Sequence, residues 1–232
     1  HLTDELEALG AKISIGQRAE NITNPDLVVY TAAISDDNEE LCAARNKGIR
    51  CIERAYLLGE IMKRYGMPIA VSGTHGKTTT TSMVSLILEH AGTDPTILIG
   101  GNLPEFHGNA KIGHSGYFVT EACEYMDSFL SLKPKMEIIL NIDSDHLDYF
   151  KDIDHIVSSF DRFAHLVPEA GTIIAYDANP FVNRVIQGLD NVVTFGLNEN
   201  CDYCAKNILF DENGMPSFDV FHKGEKLNRV QL

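Results

Sequence analysis

Apolar and polar positions along the chain fall into short alternating blocks. Between Ala11 and Ile52 the apolar runs KISI, DLVVYTA and IRCI enclose a helix-like segment from about Asp37 to Lys47, ended by Gly48. Such alternation predicts parallel β/α units. Leu57, Leu58, Ile61, Met62 and Tyr65 then recur at a helical period, and Gly66-Met67-Pro68 stops the stripe. A domain boundary is expected there, dividing the chain into residues 1–66 and 67–232.

After Pro68 the alternation resumes on a larger scale. Strand IAVS leads to a helix over Lys77 to Ala91, strand TILI to a glycine-rich loop over Gly100 to Gly116, and strands YFVT and EIILN follow. A helix from about Ile153 to Val167, strand TIIAY, a helix over Pro180 to Gly188 and strand VVTF complete the series. The fold class predicted is α/β, with a mostly parallel, doubly wound sheet and helices on both faces. The last runs, DYCAKNILF, SFDVFHKG and KLNRVQL, are separated by the turn signals DENG and KGEK and read as appended antiparallel strands. The opening HLTDELEALGAK reads as the end of a helix capped by Gly10, so a start inside a domain is expected.

Charge changes this picture in one respect. The 33 acidic residues outnumber the 19 basic ones in a chain of 232, giving −14, and no basic cluster offers a groove for nucleic acid. A phosphate-bearing ligand would need its charge met locally, by one lysine, a helix N-terminus and a divalent cation. No apolar run approaches the roughly 18 residues of a membrane span, and no signal peptide is recognisable, so no membrane partner is expected. Five cysteines without disulfide-framework spacing suit a reducing cytoplasm. Cys201 and Cys204 form the one CxxC; on a strand their thiols would face opposite ways, which reads as structural.

Ligands of an open α/β sheet bind outside the carboxyl ends of the strands, and three such ends carry chemistry. SGTHGKT follows MPIAV and precedes a helix, the setting of a phosphate loop. The usual spacing puts four residues between the two glycines; here only Thr74 and His75 separate Gly73 from Gly76. Lys77 supplies a point charge, Thr78 a hydroxyl oxygen for Mg²⁺, and Thr79 a first-turn hydroxyl; Thr80 and Thr81 read as helix surface. Glu121 ends YFVT, where a carboxylate beside a phosphate loop can hold the metal. Glu124 and Asp127 read as surface groups or substrate contacts, and Ser128 as a helix cap. Asn141 ends EIILN, and His146 follows between Asp145 and Asp148, either a metal ligand steadied by a carboxylate or a loop histidine. His90, His107, His114, His155, His165 and His222 fit no pattern and read as structural or exposed. A GTPase would need an N-K-x-D motif; Asn46-Lys47 precedes the loop and is followed by Gly48-Ile49.

GTHGKTTTT, EACEYMDSFL and NIDSDHLDYF, in this order, resemble the ATP-dependent Mur ligases of peptidoglycan synthesis, whose phosphate loop has this shortened form. VVYTAAISDDNEEL resembles the end of that family's UDP-binding domain. The resemblance implies residues 1–66 as the last part of a Rossmann-like UDP-sugar domain and 67–232 as an incomplete central ATP-binding domain. It implies a ligation in which ATP phosphorylates the carboxylate of UDP-N-acetylmuramate and the amine of L-alanine attacks the acyl phosphate, with two Mg²⁺ ions for which Mn²⁺ can substitute. By position, Gly73 to Thr79 would hold ATP, Thr78 and Glu121 one ion, and His146 the second. Lys77, Glu121 and His146 would be catalytic, and Gly101, Asn102, Glu124 and Ser128 would touch the UDP-sugar. The alternatives are a relative that adds a tripeptide to the same sugar and a non-catalytic nucleotide-binding module. The family's N-terminal glycine-rich loop and C-terminal domain have no counterpart here, so this stretch alone is expected not to ligate.

Overall fold

The computed structural model describes residues 2–106 and 108–232; His107 lies outside them. The chain divides into two compact units, His1–Leu58 and Gly59–Leu232. The first holds α1 (Leu2–Ala8), β1 (Leu27–Tyr30), α2 (Glu39–Asn46) and β2 (Arg50–Glu53). β1 and β2 pair in parallel, Val28 opposite Cys51, with α2 as the crossover. The Asn38 side chain caps α2 by accepting the N–H groups of Glu40 and Leu41, and Leu41 and Ala44 are buried. KISI is not a strand: among the described residues it has no ladder partner, and Lys12, Ser14 and Ile15 are exposed.

Helix α3 (Arg54–Met62) crosses into the second unit. There follow β3 (Met67–Ser72), α4 (Lys77–His90), β4 (Thr96–Leu103), β5 (Gly108–Lys111), β6 (Tyr117–Glu121) and β7 (Met136–Ile139). Then come α5 (Ile153–Ala164), β8 (Thr172–Tyr176), α6 (Pro180–Ile186), β9 (Val192–Gly196), β10 (Tyr203–Phe210), β11 (Pro216–His222) and β12 (Glu225–Gln231). The sheet order is β12-β11-β10-β9-β8-β7-β3-β6-β4-β5. The seven strands from β10 to β4 in this order pair in parallel, and antiparallel β5 and the β11–β12 hairpin close the two edges. The sheet is thus mostly parallel, as the alternation of blocks predicts.

Strand alternation sorts the core into two layers. Ile69, Val71, Val119 and Ile138 pack under Val84 and Leu88 of α4. Ala70, Ser72, Phe118, Thr120, Glu137 and Ile139 face the other way and are all buried. Phe129 stacks on Phe163 at 4.4 Å and meets Phe160 edge-on at 5.3 Å, tying the segment after β6 to α5. Each of these fully buried rings contributes roughly 2–3 kcal/mol of apolar burial. Among the described residues no helix is long and apolar enough to cross a membrane.

Two local expectations are corrected. The glycine-rich segment is a continuation of β4 followed by a turn and β5, so Gly100 and Gly101 lie inside a strand. Cys201 precedes β10, and its thiol sulfur lies 2.8 Å from Asn198 O and 3.0 Å from Tyr203 O, with its one hydrogen to donate to either; burial raises its pKa. Both members of the CxxC are buried.

Candidate active site

Neighbouring strands gather the three polar loops at one edge of the sheet. β3 lies between β6 and β7, with Val71 opposite Glu121 and Ser72 opposite Ile139, so all three chains leave the ladder side by side. Ala122 N–H still donates to Val71 O at 2.9 Å and Leu140 N–H to Ser72 O at 3.1 Å. In open α/β sheets this is the end at which ligands bind.

The loop after β3 depends on its glycines. Gly73 has φ +135°, and a Cβ there would meet Leu140 Cβ at 3.0 Å and Asn141 N at 3.2 Å. Gly76, at φ +84°, is the N-cap of α4 and offers no side-chain acceptor to the helix. The free first-turn N–H groups and the positive end of the helix dipole therefore form a seat for an anion. Asn141 closes the short loop: its Nδ2 donates to His75 O at 2.9 Å, its Oδ1 accepts His75 N–H at 2.8 Å, and its carbonyl accepts Thr74 N–H at 3.0 Å. Thr74 Oγ1 accepts Asp143 N–H at 2.9 Å. Asn141 is a site residue that sequence reasoning noted only as a strand end; a polar side chain straight after an apolar run was its signal.

Thr78 and Glu121 come together as their positions imply. Glu121 Oε1 accepts the Gly100 N–H at 2.6 Å, and Oε2 accepts the Thr78 hydroxyl at 3.1 Å. A Cβ on Gly100 would lie 3.0 Å from Glu121 Oε2, and one on Gly101 would lie 3.1 Å from Thr78 Cγ2. Gly101 therefore packs against the hydroxyl-bearing residue. Among the described residues no group of three or more His, Cys, Asp and Glu could by itself hold a metal ion. The adjoining hydroxyl and carboxylate oxygens nonetheless suit Mg²⁺, which takes one or two protein oxygens and fills its octahedron with waters and phosphate oxygens.

The second cluster is Lys77, Glu124 and His146. Lys77 Nζ donates to Gly73 O at 2.7 Å, to Thr74 O at 3.2 Å and to Glu124 Oε2 at 2.9 Å. The Glu124 residue is 1% exposed, which corrects its reading as a surface group. His146 has φ +51°, and its Nε2 lies 3.9 Å from Glu124 Oε1 and 4.0 Å from Asp145 Oδ2, beyond hydrogen-bond reach of either. Its ring rests on Tyr125 with centroids 4.9 Å apart, and Asp148 accepts the Tyr125 hydroxyl at 2.9 Å.

Other candidates sit apart from these clusters or differ from expectation. Asn102 is exposed on β4, and Ser128 Oγ turns back to Tyr125 O at 2.8 Å. His75 and Thr79 are exposed. Thr81 is fully buried with its hydroxyl on Lys77 O at 2.8 Å, so it is not helix surface. Asp127 binds Ser159 Oγ and, at 2.6 Å, Arg162 Nη2; burial opposes its ionisation, and these two partners still hold its pKa below the ordinary value. Glu137, on β7, accepts the Ser72 hydroxyl at 2.9 Å, and among the described residues its other oxygen has no hydrogen-bond partner. Burial lifts its pKa to about 8.

The profile of the Mur ligase middle domain matches residues 71–232, and that of the Mur ligase family catalytic domain matches residues 1–66. A UDP-N-acetylmuramate–L-alanine ligase of Caldanaerobacter subterraneus subsp. tengcongensis is 53% identical over 100% of this chain and 51% of its own length. The chain thus spans about half the length of the curated relatives it matches. A UDP-N-acetylmuramate-alanine ligase of Thermotoga maritima superposes with a TM-score of 0.83 at 29% identity, over 99% of this chain and 52% of that one. The UDP-N-acetylmuramate:L-alanyl-gamma-D-glutamyl-meso-diaminopimelate ligase of Neisseria meningitides gives 0.87 at 28% identity, over 98% of this chain and 75% of that one. With most of its length matched by the middle-domain profile and the short phosphate loop closed by Asn141, the chain belongs to the Mur ligase family.

Proposed function

We propose that this chain is the nucleotide-binding part of an ATP-dependent ligase that joins L-alanine to the carboxylate of UDP-N-acetylmuramate, in the cytoplasm, during peptidoglycan precursor synthesis. The observation that carries the chemistry is the alignment of Lys77, Thr78 and Glu121 at the mouth of one short phosphate loop. ATP transfers its γ-phosphoryl group to the sugar carboxylate, leaving ADP; the amine then displaces phosphate from the acyl phosphate, losing a proton as the amide forms. This chain's part is positioning and charge neutralisation, the main requirements of phosphoryl transfer. The loop N–H groups and Lys77 take the β- and γ-phosphates. Thr78 and Glu121 would hold one Mg²⁺, or Mn²⁺ in its place, and His146 would contribute to a second ion; each ion would supply positive charge beside the phosphates.

Choice of amine is the finer question. Both L-alanine and tripeptide ligases share this fold, so the 53% identity to an L-alanine ligase supports the first reading. The test is phosphate release by the full-length protein containing this chain, with ATP, UDP-N-acetylmuramate and, in turn, L-alanine, glycine, L-serine or the tripeptide. L-alanine should give the highest kcat/KM; a preference for the tripeptide would replace this reading with the second.

A further inference from the structure

Lys77 spends all its donors before any ligand arrives. An ammonium has three N–H groups. Here they reach Gly73 O, Thr74 O and the Glu124 carboxylate, whose oxygens lie 2.9 and 3.1 Å away. The pair is well shielded, with side chains 15% and 2% exposed, so water competes for it weakly. Among the described residues, the other basic side chain within 4 Å of the Glu124 carboxylate is the His146 ring, whose Nε2 lies 3.9 Å away. A phosphate entering the loop must therefore take Lys77 from Glu124 and approach a buried negative charge while doing so. We infer that Glu124 is a positioning residue, the resting counter-ion of Lys77, which holds the lysine folded over its own loop and lowers the affinity of the empty site for phosphates that come without a divalent cation.

This inference rests on the phosphate-loop reading above, and the experiment separates the two. ADP binding is measured by calorimetry in the full-length protein, with EDTA and then with Mg²⁺, for the wild type, Glu124→Gln, Glu124→Asp and Lys77→Met. Removing a negative charge a few ångströms from the phosphates should tighten metal-free ADP binding about tenfold in Glu124→Gln. Glu124→Asp withdraws the carboxylate by one methylene and should move the same way by less, which keeps the test valid if the glutamine variant folds poorly. The gap between metal-free and Mg²⁺-loaded affinity should narrow in both, a change that simple loss of stability would not produce. Metal-free affinity that is unchanged or weaker in both variants, with Lys77→Met losing binding, overturns the counter-ion role alone. If Lys77→Met binds ADP as tightly as the wild type, the phosphate-loop reading fails and the inference fails with it.

Discussion

Gly73 is the residue on which the loop turns, because two requirements coincide there. Its φ of +135° is open to glycine, and a Cβ would press on Leu140 and Asn141 at 3.0 and 3.2 Å. Gly73→Ala should cost about 1–3 kcal/mol, a fall of roughly 2–4 °C in Tm per kcal/mol for a unit of this size, and should abolish ADP binding in calorimetry. Glu137 makes a second residue-scale prediction. Its folded pKa, about 8, lies above the ordinary 4.5, so the folded state retains a proton that the unfolded chain has lost. The stability tied to that proton is fully present below pH 4.5, declines as pH rises through the interval, and is gone above about 8. Glu137→Gln cannot ionise and should raise Tm at pH 8 by several degrees while flattening the Tm profile between pH 5 and pH 8. An equal shift at pH 5 and pH 8 would contradict the assignment. Neither Glu137 nor the Glu124–Lys77 pair was legible in the sequence. Burial and a partner 47 residues away are properties of the packed sheet, and an acidic residue in a run of mixed polarity carries no local mark of either.

At the scale of elements, the turn after β6 shows how the site is held. Met126 and Asp127 have φ of +52° and +56°, two consecutive left-handed residues that are not glycine, directly after Glu124 and Tyr125. Such backbone persists only where its surroundings impose it. Here Asp127 is anchored to α5 through Ser159 and Arg162, and Phe129 is wedged between Phe160 and Phe163. Asp127→Ala leaves the fully buried Ser159 hydroxyl without its acceptor and releases the turn. A loss of about 1–3 kcal/mol is expected in denaturant unfolding, together with weaker ADP binding, because Glu124 and Lys77 lose their placement. Local pattern marks the neighbouring elements unequally. β3, its loop and α4 stand out because an apolar run, two glycines and a lysine follow one another. β4 was cut short because glycine is a poor strand former, yet Gly100 and Gly101 belong to it for a reason no local pattern holds: Glu121 and Thr78 approach too closely for a Cβ. KISI shows the opposite case, an apolar run that finds no strand to pair with.

For the whole molecule, the order of strands converts sequence into a site. The motifs after β3, β6 and β7 lie far apart in sequence, Thr74 and Asp143 being 69 residues apart, and they meet because β3 is laid between the other two. The alternation of blocks predicted a parallel sheet with ligands at its carboxyl edge. Which strands adjoin was not readable, since each crossover could pass to either side. A net charge of −14 sets the electrostatic problem for a polyphosphate ligand, and the structure answers it with a helix end, one lysine and oxygens suited to Mg²⁺. If the proposed L-alanine-dependent ligation runs through this loop, it depends on Lys77. The most direct measurement is therefore phosphate release by the full-length protein with ATP, Mg²⁺, UDP-N-acetylmuramate and L-alanine, comparing the wild type with Lys77→Met under conditions where both remain folded. Release should require both UDP-N-acetylmuramate and L-alanine and should fall by about 10²–10³ in kcat in the variant. Release that needs neither substrate, or that survives the loss of Lys77, would contradict the proposed function.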